Sequence, residues 1–175
     1  ASSPSAALAR GGASIICNPS ASVETVGKAE FRRTLVKAHS AKLLCGYIYA
    51  DCGTGESTTD CVFAGHRLIA EDGALVAESA LFSDGLTISE IDVEKIDFTR
   101  RQTNTFSASD EGITYVPFEA ADFDGSLVRK ISGTPFLPEE GDEERAELIL
   151  SLQTAGLKKR MNASNTKKLV VGISG

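Results

Sequence analysis

The stretch RLIAEDGALVAES, residues 67–79, decides the fold class of this sequence. Two apolar-rich runs flank the dipeptide Asp72-Gly73. Asp-Gly is favoured in a two-residue type I′ hairpin turn, because both of its positions take a positive φ. The stretch therefore predicts two antiparallel strands joined by a tight turn.

The segments before this hairpin alternate between helix and strand patterns. Residues 5–9 suit a short helix that ends at the glycine pair 11–12, and the apolar run 13–17 suits a buried strand. Helical spacing returns over about residues 26–44, and the strand-type run CGYIYAD follows at 45–51. This order of elements predicts a protein of the α/β class.

The segments after the hairpin are less regular. ISEIDVEKI, residues 88–96, alternates apolar and polar residues and predicts one more half-buried strand, so that the sheet has at least four members. Between about residues 100 and 138 the periodicity fades, and Pro, Gly, Ser and Asp indicate a long irregular connection.

A helix and a strand are predicted at the end of the sequence. Residues 142–161 suit a helix, because Asp142 can cap it, acidic residues follow at once and basic residues stand near its end. KKLVVGISG, residues 167–175, predicts a buried strand that enters a Gly/Ser loop.

Composition excludes several classes of protein. The chain has 175 residues, 42% of them hydrophobic and 24% charged, which is typical of a soluble globular protein. Its net charge of −6 argues against a surface that grips nucleic acid. No apolar run approaches the roughly 20 residues that span a bilayer, and the first residues lack a signal-peptide layout, so a cytoplasmic location without a membrane partner is expected.

Cysteines and histidines give no support for a metal site. The four cysteines show no CxxC spacing, and three of them sit in apolar or strand-like segments where thiols usually pack as small hydrophobic side chains, so structural thiols are predicted. His39 and His66 stand far apart without a paired ligand spacing, so no metal is predicted.

Three loop segments could carry chemistry. They are NPSASVETVGK at 18–28, GTGESTTDCVFAGH at 53–66 and VVGISG at 170–175. Hydroxyl and amide side chains directly after a strand often meet ligands in α/β folds. Taken alone, however, each segment is more often an ordinary turn.

Taken together and in order, these segments resemble one family. NPSAS, GKAEFRRTLVKAHSAKLLCGYIYADCGTGESTTD, FAGHRLIAEDGALVAES, QTAGLKKRM and KKLVVGISG look like consecutive landmarks of bacterial-type glutamine-dependent NAD synthetases. The resemblance covers nearly the whole chain and is weakest over about residues 101–140.

The resemblance implies a domain organisation. Residues 1–100 would be the C-terminal part of a nitrilase-like glutaminase domain, a carbon–nitrogen hydrolase with an α-β-β-α four-layer sandwich. Residues 101–141 would be an interdomain linker. Residues 142–175 would be a linker helix and the first strand of a Rossmann-like ATP pyrophosphatase domain. The chain is accordingly expected to be an internal fragment, truncated at both ends.

The resemblance also implies an activity. In this family a Cys-Glu-Lys triad hydrolyses glutamine, and ammonia passes through a tunnel to a second site. There ATP adenylates nicotinic acid adenine dinucleotide, and ammonia displaces AMP to give NAD. ATP and Mg²⁺ would serve the full-length enzyme, a homo-oligomer, and neither is expected to bind this fragment strongly.

Site residues follow from the resemblance position by position. The matching triad lies upstream, so no catalytic residue is expected in this chain. Ser22 matches a position whose hydroxyl helps hold glutamine, and Lys28 matches a basic residue that reaches the carboxylate end of the substrate. The start of the pyrophosphate loop matches Gly172, Ser174 and Gly175.

Two other functions stay open at this point. The chain could be a catalytically inactive nitrilase-like scaffold that works through protein contacts. It could also be a simple amidohydrolase that uses Cys17 as its nucleophile, although Cys17 stands at an ordinary position before NPSAS and has no matched base.

Overall fold

The computed structural model describes residues 3–57, 59–109, 111–119, 125–134, 137 and 142–172. The chain divides into two compact units, Ala1–Arg129 and Lys130–Gly175. Among the residues described, no helix is long and apolar enough to cross a membrane.

The first unit is built around a four-stranded mixed sheet with the strand order β1-β2-β3-β4. β1 and β2 are parallel, whereas β2 and β3, and β3 and β4, are antiparallel. The α/β class predicted from the sequence is confirmed. The elements of this unit are α1 (Pro4–Arg10), β1 (Ile15–Ser20), α2 (Lys28–Leu43), β2 (Gly46–Asp51), β3 (Arg67–Glu71), β4 (Ala74–Glu78) and α3 (Val93–Gln102).

The hairpin between β3 and β4 forms at the predicted turn. Asp72 has a φ of 48° and Gly73 a φ of 82°, the two positive values that a type I′ turn requires. The flanking residues Glu71 and Ala74 pair directly across the turn.

The parallel pair β1 and β2 brings two chain segments to one edge of the sheet. α2 is the crossover that connects these strands, and it packs on the sheet through contacts with β2, β3 and β4. In the register of the pair, Ile16 lies opposite Tyr47 and Ser20 lies opposite Asp51. Because parallel strands end at the same edge, the loop after Ser20 starts beside Asp51.

The hydrophobic core lies between α2, α1 and one face of the sheet. Side chains on this face recur at every second strand residue, as the pleat requires. Burying them stabilises the unit by roughly 25 cal/mol per Å² of apolar surface removed from water. The buried cluster consists of Ala9, Ile16, Val36, Leu43, Cys45, Tyr47, Tyr49, Leu68 and Ala70.

The strand predicted over residues 88–96 is wrong. Residues 88–92 belong to no strand, and α3 begins at Val93. The Asp92 carboxylate caps this helix by accepting a hydrogen bond from the Lys95 backbone N at 2.8 Å. Val93 and Ile96 of this segment therefore lie in a helix rather than in a strand, and Ile96 is the buried residue of that helix, 2% exposed.

The cysteine prediction holds for one residue of the four. Cys45 is completely buried, and burial raises the pKa of its thiol to about 11. Cys17 and Cys61 are exposed and Cys52 is partly exposed, so these thiols do not pack in the core. Cys17 and Ile16 are neighbours on β1, and only Ile16 faces the buried cluster.

The second unit contains the helix predicted near the end of the chain. This helix, α4, spans Glu143–Ser164, and the Asp142 carboxylate caps it by accepting from the Arg145 backbone N at 3.1 Å. Residues 167–172 are not in a strand, and 173–175 lie outside the described residues. A strand needs a hydrogen-bonded neighbour, and the described residues of this unit offer none, which accounts for the difference from the predicted strand.

Candidate functional site

A cavity of about 450 Å³ lies between α1, α2 and the first two strands. Ser22 and Lys28, the two residues predicted to hold glutamine, both line it. Its wall is mixed, because apolar side chains such as Leu35 stand beside polar ones such as Asn18. A largely apolar cavity with a few convergent polar groups is the usual form of a small-molecule site.

The loop that carries Ser22 is held by the end of β2. The Ser22 backbone N donates to Asp51 Oδ1 at 2.8 Å, and the Asp51 side chain is completely buried. The Cys52 backbone N donates to the Ser20 carbonyl at 2.9 Å on the same side of the sheet. These bonds fix the path of the main chain where it leaves β1 and turns along the cavity.

A buried arginine on α2 joins this loop to the helix. Arg32 is 3% exposed, and its NH1 donates to Glu24 Oε2 at 3.0 Å. Its NH2 lies 3.4 Å from Asp51 Oδ2, and its guanidinium stands over the Tyr49 ring at 5.6 Å. A buried guanidinium is tolerated only where carboxylates compensate its charge, and Glu24 and Asp51 do so here.

His66 extends the same buried cluster to β4. Arg32 NH1 lies 2.8 Å from His66 Nδ1, and His66 Nε2 lies 2.8 Å from Glu78 Oε1. A guanidinium can only donate, so Nδ1 must accept; the ring proton is therefore assigned to Nε2, which donates to Glu78. His66 is thus a neutral imidazole between a cation and a carboxylate.

Glu78 is held in its ionised form. Burial acts to raise the pKa of its carboxyl, but hydrogen bonds from Arg33 and His66 outweigh burial and keep that pKa below its ordinary value. The Arg33 Nε lies 2.6 Å from Glu78 Oε1, and its NH1 lies 2.7 Å from Glu30 Oε2.

Lys28 supplies a cation without a paired carboxylate. It is the first residue of α2 and is partly exposed, and its Nζ lies 5.9 Å from the centroid of the Phe31 ring. Across the described ranges, no acidic side chain lies within ion-pair distance of its ammonium group. The cavity therefore has an uncompensated positive charge on its wall.

Buried polar atoms on the cavity wall add to this donor set. The Tyr49 hydroxyl and the Arg32 Nε and NH2 have no hydrogen-bond partner among the residues described. Both residues line the cavity. Buried polar atoms are satisfied in the great majority of cases, so an unsatisfied hydroxyl beside a cavity favours a polar ligand there.

The other residues singled out from the sequence lie apart from this arrangement or add little to it. Cys17 lines the cavity, but none of the side chains described is hydrogen-bonded to its thiol. Gly172 is exposed in the second unit, and Ser174 and Gly175 lie outside the described residues.

Only weak signals for the buried cluster are present in the sequence pattern. The helical pattern of α2 does not by itself identify Arg32 as a buried residue. Its burial is possible because Glu24 and Asp51 neutralise it, and Asp51 lies on a different element, 19 residues further along the chain. An acidic residue that ends an otherwise apolar strand, as Asp51 does, is the one pattern that could have indicated the cluster.

Comparison with known proteins gives relatives for nearly the whole chain. No family model matches the sequence. The chain is 35% identical over 185 aligned residues to the glutamine-dependent NAD(+) synthetase of Mycobacterium tuberculosis, covering 98% of this chain and 27% of that protein. The corresponding enzyme of Mycobacterium leprae is 33% identical over the same coverage. A glutamine-dependent NAD(+) synthetase structure from Cytophaga hutchinsonii is 31% identical, with a TM-score of 0.42, over 46% of this chain and 14% of that one.

These relatives are much longer than the chain. The chain spans 27% of the length of the curated synthetases that it matches, and it is homologous to that segment of them.

Proposed function

We propose that this chain, a homologue of one segment of glutamine-dependent NAD(+) synthetases, is the part of such an enzyme that holds glutamine for hydrolysis. The observation that carries the proposal is that Ser22 and Lys28 line one cavity. These two residues are the positions matched to glutamine binding by the family resemblance. They are six positions apart, at the two ends of the loop between β1 and α2.

The chemistry of the cavity suits glutamine. Free glutamine carries a carboxylate, an ammonium group and a side-chain amide, so its site needs a cation and hydrogen-bonding groups in fixed positions. Lys28 offers an ammonium group without an acidic partner among the described residues, and Ser22 offers a hydroxyl that can donate or accept. A volume of about 450 Å³ lies within the range of small-molecule sites.

Hydrolysis of the amide is assigned to residues that lie upstream in the full-length protein. A cysteine nucleophile with a glutamate base and a lysine would form the thioester and release ammonia, while Ser22 and Lys28 keep the substrate in place. Cys17 is not given this role, because no described side chain is placed to take its proton.

The full-length enzyme would pass the ammonia to a synthetase domain. There ATP with Mg²⁺ activates nicotinic acid adenine dinucleotide, and ammonia completes the amide of NAD. ATP and Mg²⁺ are assigned to the full-length protein rather than to this chain. A cytoplasmic homo-oligomer is part of the same proposal.

The test uses the full-length protein that carries this chain. NAD formation is measured with glutamine and, separately, with ammonium salts, because ammonia bypasses the glutaminase site. The expected result is activity with both nitrogen donors, and a Ser22→Ala variant that raises the KM for glutamine while its ammonia-dependent rate is unchanged. Absence of glutamine-dependent activity at any concentration would contradict the proposal and favour an inactive nitrilase-like scaffold.

A further inference from the structure

We infer that Asp51 is a positioning residue for glutamine recognition, which acts by holding the main chain of Ser22. The inference rests on the proposed function, and it goes beyond it by assigning a role to a residue that does not line the cavity. The Asp51 side chain is completely buried, and its Oδ1 accepts from the Ser22 backbone N at 2.8 Å.

The location of Asp51 explains why it can act on Ser22. Asp51 is the last residue of β2 and pairs with Ser20, the last residue of β1. The chain turns away from the sheet directly after Ser20, and Ser22 is the second residue of that turn. Strand pairing thus ends where the Asp51 carboxylate begins to hold the loop.

Arg32 forms an ion pair with the Asp51 carboxylate in turn. Asp51 Oδ2 lies 3.4 Å from Arg32 NH2, and Arg32 NH1 donates at 3.0 Å to Glu24, two residues beyond Ser22. The loop is therefore tied on both sides of the cavity-lining residue, through Asp51 and through Glu24, to one buried guanidinium on α2. Side chains that are locked by buried partners hold a recognition group more accurately than a free loop does.

Loss of the Asp51 carboxylate should affect the binding of glutamine rather than the chemical step. Without the carboxylate, the Ser22 N–H loses its acceptor and the loop gains freedom, so the hydroxyl is no longer presented in one position. Hydrogen bonds to charged acceptors contribute more than those between neutral groups, so the loss of this one matters for the loop. The affinity for glutamine should fall, whereas reaction from ammonia should not respond.

Glu71 provides a matched control for the loss of a buried carboxylate. It is 3% exposed, accepts from the Asp92 backbone N at 2.7 Å, and lies 2.8 Å from Arg129 NH2. It therefore resembles Asp51 in burial and in partners. It pairs with Gly46, at the opposite end of β2 from Asp51, and it does not line the cavity.

The experiment compares Asp51→Ala, Asp51→Asn and Glu71→Ala in the full-length protein, with thermal melting as the measure of folding. Asp51→Ala is expected to raise the KM for glutamine about tenfold, equivalent to about 1.4 kcal/mol, with little change in kcat and none in the ammonia-dependent rate. Asp51→Asn keeps an acceptor for Ser22 and is expected to raise the KM less. Glu71→Ala is expected to lower the melting temperature and leave the KM unchanged.

Three outcomes would overturn the inference. An unchanged KM in a folded Asp51→Ala protein shows that Ser22 is positioned without Asp51, while the proposed function stands. An equal rise of KM in Glu71→Ala shows a general loss of stability. A wild-type protein that makes NAD from ammonia but never from glutamine removes the proposed function, and the inference with it. If Asp51→Ala does not fold, Asp51→Asn against Glu71→Gln gives the same comparison.

Discussion

The Arg32 guanidinium and the His66 imidazole are hydrogen-bonded at 2.8 Å, with Arg32 3% exposed and His66 completely buried. This pair joins the crossover helix α2 to the residue that precedes β3. Because His66 also donates to Glu78, one uncharged ring connects the buried guanidinium of Arg32 to the carboxylate at the end of β4. A polar contact therefore lies among the buried residues that join α2, β3 and β4.

His66→Ala should destabilise the protein strongly. It removes one acceptor of Arg32 and a donor to Glu78, and it leaves a cavity, so a loss of about 3 kcal/mol in the free energy of unfolding is expected. Urea denaturation measures it. His39→Ala is the control, since His39 is partly exposed and makes an edge contact with Tyr47 at 5.6 Å. Equal losses in the two variants would contradict a special role for the Arg32–His66 contact.

Acid should destabilise the protein partly through Glu71. Burial acts to raise the pKa of this carboxyl, but hydrogen bonds from Arg129 and the Asp92 backbone N, with the charges of Arg129 and Lys95, lower it below the ordinary value of 4.5. A lowered folded pKa means that the stabilisation is complete above the unfolded pKa and is lost as the pH falls through the folded pKa.

The measurement is the urea midpoint between pH 6 and pH 3. Glu71→Gln should be less stable than the wild type near pH 6 and should lose less stability below about pH 4.5. The exposed Glu56→Gln is the control and should follow the wild-type curve. Parallel curves for Glu71→Gln and the wild type would show that Glu71 does not contribute to the acid transition.

Gly73 cannot be replaced without strain. Its φ is 82°, and a Cβ at this position would lie 2.9 Å from the Ala41 Cβ on α2. Gly73→Ala should therefore cost about 2 kcal/mol of stability, from the left-handed backbone and from the contact together. Gly12→Ala separates the two effects, because Gly12 has a φ of 101° and open space around it. The melting temperature should fall further for Gly73→Ala than for Gly12→Ala. The reverse order would show that the contact with the Ala41 Cβ does not destabilise the protein.

Local turn chemistry explains why much of the first unit could be predicted. Asp72-Gly73 is sufficient to place β3 and β4, because few dipeptides adopt two positive φ values. The apolar runs of β1 and β2 and the helical spacing of α2 are long enough to identify their elements.

The start of α3 and the long-range contacts of Arg32 could not be predicted in the same way. Residues 88–96 alternate like a strand, but the Asp92 cap and the acidic and basic ends of α3 indicate a helix, and in this structure the cap decides. The contacts of Arg32 with Asp51 and His66 join positions 19 and 34 residues apart, and they depend on the register of β1, β2 and β3. No local pattern contains that register.

Arg67 holds the loop that follows β4. Its guanidinium donates to the Gly65 carbonyl at 2.8 Å, the Ser83 carbonyl at 3.0 Å and the Thr87 hydroxyl at 3.2 Å. Arg67→Ala should release residues 80–87 and increase their cleavage in limited proteolysis at least several-fold, without loss of the sheet. Arg101→Ala, at an exposed position near the end of α3, should leave the cleavage rate unchanged. Unaltered cleavage in Arg67→Ala would mean that backbone contacts alone hold the loop.

Lys28 should determine how strongly the cavity attracts a carboxylate. Because no described acidic side chain pairs with its ammonium group, its charge is free to act on a ligand, and Lys28→Ala should raise the KM for glutamine about tenfold in the full-length protein. Lys28→Arg should keep the KM at or below the wild-type value, since a guanidinium can bind a carboxylate through two parallel hydrogen bonds.

Lys37→Ala is the matched control for this charge. Lys37 lies on the same helix and is exposed, but it does not line the cavity, so its removal changes the net charge equally without touching the site. Its KM for glutamine should equal that of the wild type, and the ammonia-dependent rate should be the same in all three variants. A similar rise of KM in Lys28→Ala and Lys37→Ala would show that Lys28 acts only through the long-range electrostatic field of the protein. Added salt would screen that field and abolish the effect on KM.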